Sequence, residues 1–253
     1  MSDCLQYLER AFQMTISPNF WLTKEYLSFQ KDMVLKELKG WIWLQEGEWA
    51  VFPPLPSLDY TPSLVPPKLK IWSDFGNYSL GSELEFLDWE YTYHSRDFSD
   101  MRGKKWAVFR KNSRKWPQRN NNWAYTVHAP PNKQIEALLI KWLCKKSNEE
   151  IEDAETLLWF VFNGTRRAFL YHHEELIGIN IWDECYFSNY VVYRYVIVNP
   201  DEPFLDEFMR LLFYQNVQAY VIDGGVLGRP GLERFKDKLN PIYKRPIYSR
   251  QII

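Results

Sequence analysis

The sequence predicts an α+β fold in which a mixed central sheet is flanked by helices. Three observations support this: segments rich in Val, Tyr and Ile that are typical of strands, segments with apolar residues at helical spacing, and short connections between them. The chain has 253 residues, 46% of them hydrophobic, which is enough for one large core or two small ones. We expect two parts, an N-terminal half at 1–125 and a C-terminal core at 126–253.

In the N-terminal half, residues 3–14 and 24–38 are predicted to be helical, the second ending at Gly40. Two apolar stretches, 41–44 and 49–52, flank a turn that contains glycine and predict a β-hairpin. Six prolines between residues 53 and 67 predict an extended connector, because proline lacks the backbone donor that helices and sheets need.

A strongly basic segment follows, with eight cations and no acid between Arg102 and Arg119. Residues 97–101 and 104–116 are predicted to form two helical pieces, with Pro117 stopping the second. Cations on the exposed faces of the second piece would bind a polyanionic ligand, and a solvated amphipathic helix is the alternative. The residues assigned to donor binding here are Arg110, Lys111 and Arg114.

From residue 132 onward the order of predicted elements is regular. Helices are predicted at 132–146, 152–162, 204–217 and 232–239, and strands at 168–172, 176–184, 190–198, 219–222 and 246–252. The first three strands are expected to be antiparallel because their links are short. The strand at 219–222 is wholly apolar, as is typical of a strand in a parallel pair buried on both faces.

A glycine-rich loop connects the strand at 219–222 to the next helix. Its glycines allow a ligand to approach backbone N–H groups at the positive end of that helix, so we assign Gly225, Gly228 and Gly231, with Lys236, to donor binding. A dinucleotide-binding fingerprint is disfavoured, since it needs a complete βαβ unit and an acidic residue about 20 positions later. A purely structural loop is the other interpretation.

Composition narrows the function classes. The formal net charge is −1, so no global charge favours nucleic acid or an anionic membrane. Three cysteines, odd in number and far apart, indicate a reducing compartment, and we expect the cytoplasm. No apolar run approaches the roughly 20 residues of a membrane-spanning helix. The four histidines show no metal-ligand spacing, and we expect neither a metal nor a tightly bound cofactor.

Three sequence stretches resemble a known family. They are RGKKWAVFRKN at 102–112, ELIG at 175–178, and YVIDGGVLGRPGLERFK at 220–236 with Pro241 behind it. Together they resemble the catalytic region of bacterial phosphatidylglycerol lysyltransferases and their soluble relatives. This resemblance implies a tandem GNAT (acyltransferase) fold, in which the strand at 190–198 splays from the strand at 219–222 and opens a wedge for the acyl donor.

The loop at 199–203, Asn-Pro-Asp-Glu-Pro, departs from the GNAT pattern. Users of acetyl-CoA carry a basic, glycine-rich loop there, whereas two acids and two prolines remove donors and repel a pyrophosphate. Ordinary use of coenzyme A is therefore not expected. The resemblance also extends to relatives that take aminoacyl-tRNA, so it implies acyl-CoA or aminoacyl-tRNA as the donor substrate. With the second donor, the basic helix would hold the sugar-phosphate backbone of a nucleic-acid partner, either tRNA or a nucleic acid with a modified base.

The resemblance implies an acyl- or aminoacyl-transferase that acts on an amine or a hydroxyl. Such a reaction needs a proton acceptor and hydrogen bonds to the developing oxyanion. Asp223 and Glu184 are candidate bases at strand ends, with Asp183 beside the second, and Tyr243 is a candidate acid. The alternatives are a GNAT-like binding protein without catalysis and a transferase that acts on a modified nucleic-acid base.

Overall fold

The computed structural model describes the C-terminal part of the chain almost continuously. The described residues are 84–146, 154–185, 189–226 and 228–250, with 23, 25–26, 34–38, 41–46, 49–50 and 55–56 from the N-terminal part. The helix predicted at 3–14 lies outside the described residues, as does most of the connector at 53–67.

A small antiparallel sheet is described in the N-terminal part. Its strands are β1 (Val34–Leu38), β2 (Trp41–Glu46), β3 (Trp49–Ala50) and β4 (Leu55–Pro56). The pairing of β2 with β3 confirms the predicted hairpin. The helix predicted through residue 38 is wrong over 34–38, because all five residues of β1 pair with β2 and this ladder overrides helix propensity. Residues 55 and 56, inside the predicted connector, also pair with β2.

The main sheet has seven strands in the order β11-β5-β10-β9-β8-β7-β6. They are β5 (Leu84–His94), β6 (Trp123–Thr126), β7 (Arg166–His172), β8 (Glu175–Glu184), β9 (Tyr190–Val198), β10 (Tyr220–Asp223) and β11 (Tyr243–Arg250). Every neighbouring pair is antiparallel except β9 with β10, which is parallel. The sheet is therefore mixed, as predicted.

Helices lie between these strands. They are α1 (Asp97–Asp100), α2 (Ala107–Arg119), α3 (Asn132–Leu143), α4 (Ala154–Asn163), α5 (Leu205–Asn216) and α6 (Pro230–Lys238), with a 3₁₀ turn at Lys104–Trp106. Pro117 lies inside α2, so the predicted stop is wrong. The helix tolerates it because a proline in the last turn removes only one late hydrogen bond, and α2 closes with the Asn120 N–H donating to the Trp116 carbonyl.

Strand β5 was not predicted, and it inserts between β10 and β11. It comes from the N-terminal half and pairs with β11 over most of its length, so the main sheet combines both halves of the chain. The predicted boundary at 125/126 falls within β6, and the division into two parts stays a prediction.

Two cores cover the two faces of the main sheet. On one face, α1, α2 and α5 pack aromatic side chains such as Phe98, Phe109 and Phe213 against Tyr93 and Tyr193. On the other face, α3 and α4 pack on the apolar residues of β7, β8 and β9. Because β8 and β9 lie in the middle of the sheet and are covered on both faces, their polar side chains are held away from water and in fixed positions.

Candidate active site

The parallel pair β9 and β10 stays together for only four residues. Tyr220–Asp223 pairs with residues 190–193, and β9 then continues to Val198 while β10 ends. Three of the residues beyond the pairing, Tyr195, Val196 and Val198, are half-buried although β9 is the central strand of seven. All four residues of β10 are paired with β9, which continues beyond residue 193 without β10 beside it; the wedge between these strands stays a prediction.

A β-bulge marks the point where this pairing ends. Ile181 stands opposite Tyr195 and Trp182 opposite Tyr193, so Arg194 is an extra residue on β9. A bulge twists a strand and redirects its backbone groups. Arg194 is therefore both the first residue of β9 beyond its pairing with β10 and the residue whose backbone leaves the regular ladder.

Asp223, at the end of β10, lies in a buried ionic cluster that we call the Asp223 cluster (Arg210, Asp223 and Lys236). One carboxylate oxygen accepts from Arg210 Nη1 at 2.9 Å and the other from Lys236 Nζ at 2.9 Å. All three residues are at most 8% exposed. Burial alone would raise the pKa of Asp223, but Lys236 and Arg210 outweigh it and lower the pKa, so the group stays ionised.

Lys236 ties this cluster to the glycine loop. Besides Asp223, its ammonium donates to the carbonyls of Gly224 and Gly225, which uses all three of its donors. Burial, together with repulsion from Arg210, lowers the pKa of Lys236 despite the attraction of Asp223. The lysine that the sequence assigns to donor binding thus holds the loop from inside.

The three assigned glycines occupy different surroundings. A Cβ at Gly225 would lie 1.7 Å from a carboxylate oxygen of Asp88, which accepts the Val226 N–H. Gly228 has φ +66°, and nothing lies within 4 Å of a Cβ there or at Gly231. The group that lies close to Gly225 is thus the side chain of Asp88, whereas the space around Gly228 and Gly231 is open.

The basic segment packs on α5 and exposes its charges. Trp116, Ser113 and Phe109 are buried on the inner face of α2, while Lys111 and Arg114 are exposed. The third assigned cation, Arg110, is half-buried and donates to the Met101 carbonyl. We call the exposed cations of this segment the basic ridge, and its members are Arg102, Lys104, Lys105, Lys111, Arg114 and Arg119.

Helix α2 bonds to one acid of the loop at 199–203 and to one acid in the first turn of α5. Glu202 accepts from Trp116 Nε1 at 2.9 Å, and Glu207 in the first turn of α5 accepts from Asn112 Nδ2 at 3.2 Å. Lys115 lies 3.8 Å from the centre of the Phe204 ring. The start of α5 is therefore acidic and covered by α2, which does not suit a pyrophosphate.

The other two assigned catalytic residues are exposed. Glu184, at the end of β8, pairs with Arg166 at 2.8 Å. Tyr243, at the start of β11, has 59% of its surface exposed. Within the described part of the chain no hydrogen bond or ion pair joins Asp223, Glu184 and Tyr243 to one another, and their catalytic roles stay predictions.

A second buried ionic group lies on the opposite face of the sheet, beside the bulge. We call it the Asp183 cluster (Thr23, Glu25, Asp183 and Arg194). Arg194 Nε donates to Asp183 Oδ2 at 2.6 Å, and the Thr23 hydroxyl donates to the same oxygen at 2.8 Å. Sequence reasoning named Asp183 only as a candidate base. It missed the N-terminal partners and Arg194, whose only signal was an arginine inside an apolar strand.

Glu25 gives this cluster its unusual electrostatics. Burial, followed by the neighbouring Asp183 carboxylate, raises the pKa of Glu25 to about 8. The Thr165 backbone N–H and Arg194 lower it only in part. Glu25 therefore gains or loses its proton near neutral pH, which is the range in which a carboxyl group exchanges protons with an amine or hydroxyl substrate.

Membrane-spanning helices and metal sites were two further possibilities for the described residues. Among the described helices none is long and apolar enough to cross a bilayer. In the same part of the chain, no three His, Cys, Asp or Glu residues come together as metal ligands.

No model of a known protein family matches the chain, and no curated protein matches its sequence. Solved structures do match in fold. A conserved protein of unknown function from Bacteroides thetaiotaomicron aligns with a TM-score of 0.73 at 12% identity, over 97% of each chain. L-PGS from Bacillus licheniformis aligns with a TM-score of 0.65 at 13% identity, over 98% of this chain and 91% of that one.

A third structure agrees with these. The C-terminal domain of a protein assigned as a lysylphosphatidylglycerol synthetase, from Agrobacterium fabrum, has a TM-score of 0.61 at 13% identity, over 98% of this chain and 91% of that chain. The order of helices and strands from α3 to β11 is the one that the sequence analysis predicts for a GNAT core. The chain thus shares the α+β fold of L-PGS and of this C-terminal domain, as its sequence resemblance leads us to expect.

Proposed function

We propose that this protein is a GNAT-type transferase that moves an acyl or aminoacyl group to an amine or hydroxyl acceptor. The end of the pairing between β9 and β10 after residue 193 carries the proposal. Beyond residue 193 we expect backbone N–H groups of β9 to lack a partner strand on the side of β10. Such groups are suited to bind a carbonyl oxygen and to stabilise the oxyanion that forms when it is attacked.

The donor is an aminoacyl ester of tRNA rather than an acyl-CoA. The loop at 199–203 supports this choice, because Glu202 and the first turn of α5 present carboxylates where a pyrophosphate would need donors. The contact of Trp116 with Glu202 holds that acid in place. A CoA pyrophosphate would meet repulsion as well as a covered helix end.

The basic ridge supplies the matching positive surface. Lys111 and Arg114 are exposed, and neither takes part in an ion pair with a described residue. Cations along one helix face bind the sugar-phosphate backbone without reading sequence. Since α2 packs directly on α5 beside the loop at 199–203, a nucleic acid bound there would have its end close to the part of β9 that lies beyond β10.

The direct test compares the two donors. The protein is incubated with total aminoacyl-tRNA, and separately with acetyl-CoA, together with a pool of small amines and hydroxyl compounds, and products are followed by mass spectrometry. We expect aminoacyl products and faster loss of the aminoacyl ester, with acetyl-CoA unchanged. Consumption of acetyl-CoA with no effect on aminoacyl-tRNA would contradict the donor assignment.

A binding protein without catalysis is the second candidate. One observation favours it: Asp223, at the end of β10, has each carboxylate oxygen bonded to a cation, which lowers its pKa and makes it a weak acceptor of a substrate proton. The same experiment separates the two candidates, since a binding protein would retain tRNA without shortening the life of its ester.

A further inference from the structure

Trp123 is an exposed tryptophan on β6, the strand at one edge of the main sheet. Its ring lies 5.2 Å from that of Phe208 on α5, and Phe208 is stacked on Trp116 at 5.3 Å. Phe208 and Trp116 are buried, whereas Trp123 is 38% exposed. The indole is thus held against a buried pair of rings and still presents part of its surface to solvent.

The sheet registers place Trp123 at the end of the sheet where β9 finishes. Val198, the last residue of β9, lies opposite Gly178 of β8. Gly178 lies opposite Leu170 of β7, and Leu170 lies opposite Tyr125 of β6. Three strand spacings of about 4.8 Å separate β9 from β6, which is about 14 Å across the sheet. Since Trp123 is two residues beyond Tyr125, the indole and the part of β9 beyond its pairing with β10 share one end of the sheet.

The basic ridge leads to the same place. Helix α2 ends at Arg119, and three residues separate Arg119 from Trp123, so the two lie within about 14 Å of each other. Lys111 and Arg114 are exposed further along the same helix. Because an α-helix rises about 1.5 Å per residue, the exposed cations from 111 to 119 extend over about 12 Å. Positive charge therefore follows α2 up to the exposed indole.

Acids at this end of the sheet do not cancel that charge. Three of them have partners within the protein, namely Glu202, Glu175 and Asp201. Glu174, in the turn between β7 and β8, is exposed and brings one negative charge against the six cations of the ridge. The surface around the indole therefore suits a polyanion that also carries a flat apolar group.

We propose that Trp123 is a stacking platform for an unpaired base of a bound nucleic acid. Every nucleobase has a π face that stacks on an exposed aromatic ring, while its phosphates bind the neighbouring cations. His172, opposite Trp123 on β7, lies 4.3 Å from the exposed ring of His173 and extends the flat surface. A base inside a duplex is stacked on both sides, so the platform selects an unpaired end.

The use of this platform in transfer rests on the proposed function. An aminoacyl ester is carried at the 3′ end of tRNA, where the nucleotides are unpaired. A base stacked on Trp123 would hold that end about 14 Å across the sheet from β9, a distance that about four nucleotides cover at roughly 3.4 Å each. Trp123 would then position the ester and take no part in the chemical step.

Binding of hairpin RNAs tests the platform without any transfer assay. Three versions share one stem: one ends in four unpaired 3′ adenosines, one in four abasic nucleotides, and one is blunt. Fluorescence anisotropy gives the affinity of the full chain for each. We expect a preference of about 5- to 100-fold for the adenosine end over the abasic end, the range that stacking of one base supports. Equal affinity for these two ends would overturn the platform, because their phosphates are the same.

Variants at both ends of β6 locate the effect. Trp123→Leu keeps an apolar contact for Phe208 but removes the aromatic face, so the preference for adenosines should disappear while binding of the blunt hairpin is unchanged. Trp123→Phe should keep most of the preference. Val127→Ala, at the opposite end of β6 and 67% exposed, should change none of the three affinities. A preference that persists in Trp123→Leu would overturn the platform.

Photo-crosslinking locates the base in the parent protein, independently of how any variant folds. A hairpin whose unpaired end contains 5-iodouridine is irradiated with the full chain, and the modified peptide is identified by mass spectrometry. The crosslink should lie on Trp123 or on the adjoining His172 and His173. A crosslink confined to any other part of the chain would contradict the platform.

The two proposals fail in different ways. If the preference for unpaired adenosines depends on Trp123 but no aminoacyl ester is consumed, the platform stands and the transferase is wrong. If aminoacyl transfer occurs and Trp123→Leu leaves KM for aminoacyl-tRNA unchanged, the transferase stands and the platform is wrong.

Discussion

Two buried ionic groups lie on opposite faces of the sheet, next to the place where the pairing of β9 with β10 ends, and their carboxyl groups have different partners. In the Asp223 cluster each oxygen of the carboxylate meets a cation, and every donor of Lys236 meets an oxygen. In the Asp183 cluster a hydrogen bond joins two acids, Glu25 and Asp183, and helps to raise the pKa of Glu25 to about 8. The cations hold the first carboxylate ionised, whereas the second pair of acids can exchange a proton near neutral pH.

The difference gives the two carboxyl groups different chemical properties. Asp223 ends a strand beside a glycine loop, which is a common location for a catalytic acid, yet its surroundings lower its pKa and keep it ionised and bonded. Asp183 ends a strand with no motif near it, yet its partner Glu25 has a pKa of about 8. Proton exchange near neutral pH is therefore expected at the second cluster.

The largest effect should come from breaking the Asp223 cluster. Asp223→Ala leaves Lys236 buried without its ion-pair partner and Arg210 with only the more distant Asp206, at 3.5 Å, and removal of one partner from a buried pair costs about 3–5 kcal/mol. Urea denaturation of the parent and the variant measures the change in the free energy of unfolding. Glu184→Ala is the control, since an exposed pair contributes about 0–1 kcal/mol. A loss below about 1 kcal/mol for Asp223→Ala would show that the cluster is not structural.

The next largest effect on stability is expected in the glycine loop, where the three glycines should differ in the cost of substitution by Ala. Gly225→Ala should cost about 1–3 kcal/mol, because its methyl group collides with Asp88. Gly228→Ala should cost about 1 kcal/mol through its positive φ, and Gly231→Ala, in open space in the first turn of α6, should cost nothing or stabilise slightly. Thermal midpoints rank the three. Equal losses at 225 and 231 would contradict the close contact with Asp88.

The Asp183 cluster should make stability depend on pH. A carboxyl group whose pKa is raised on folding binds its proton more tightly in the folded chain, so its contribution to stability is present at low pH. That contribution is lost as pH rises from the ordinary range of Glu through about 8. Denaturation at a series of pH values should show this decline in the parent and not in Glu25→Gln. The same slope in both proteins would remove Glu25 as its origin.

The sequence predicted the second half of the fold well, because each element there has a local signal. Helical spacing of Ile135, Leu138 and Leu139 and the Val- and Tyr-rich run of β9 fall within a few residues of the observed elements. Strand β5 was missed for the opposite reason. Its Asp88 and Glu90 interrupt the apolar pattern, and they are acceptable only because the Val226 N–H and Arg245, both distant in sequence, bond to them.

The candidate site shows more clearly that local sequence patterns do not predict contacts between distant segments. Asp223 and the glycines were found because strand, loop and helix are contiguous in sequence. The Asp183 cluster joins residues 160 and 171 positions apart, through Thr23 to Asp183 and to Arg194. A contact at that separation has no periodicity or motif, and it depends on which segment covers the face of the sheet.

The smallest effect on stability, and the most specific one for function, is expected on the basic ridge. Lys111 and Arg114 are exposed on α2 and form no ion pair with a described residue, so replacing both with Ala should change the free energy of unfolding by less than about 1 kcal/mol. Arg110 is left intact, because its bond to the Met101 carbonyl fixes the start of α2.

Binding of the double variant to tRNA should weaken, and the slope of log affinity against log salt should fall by about one for each phosphate that is no longer neutralised. Filter binding from 50 to 300 mM salt measures both quantities. A matched pair, Lys133→Ala with Lys141→Ala on α3, removes the same charge from the other face of the sheet and should have little effect. If the two double variants bind tRNA with the same affinity and slope, the ridge is a solvated helix face and the donor must be held elsewhere.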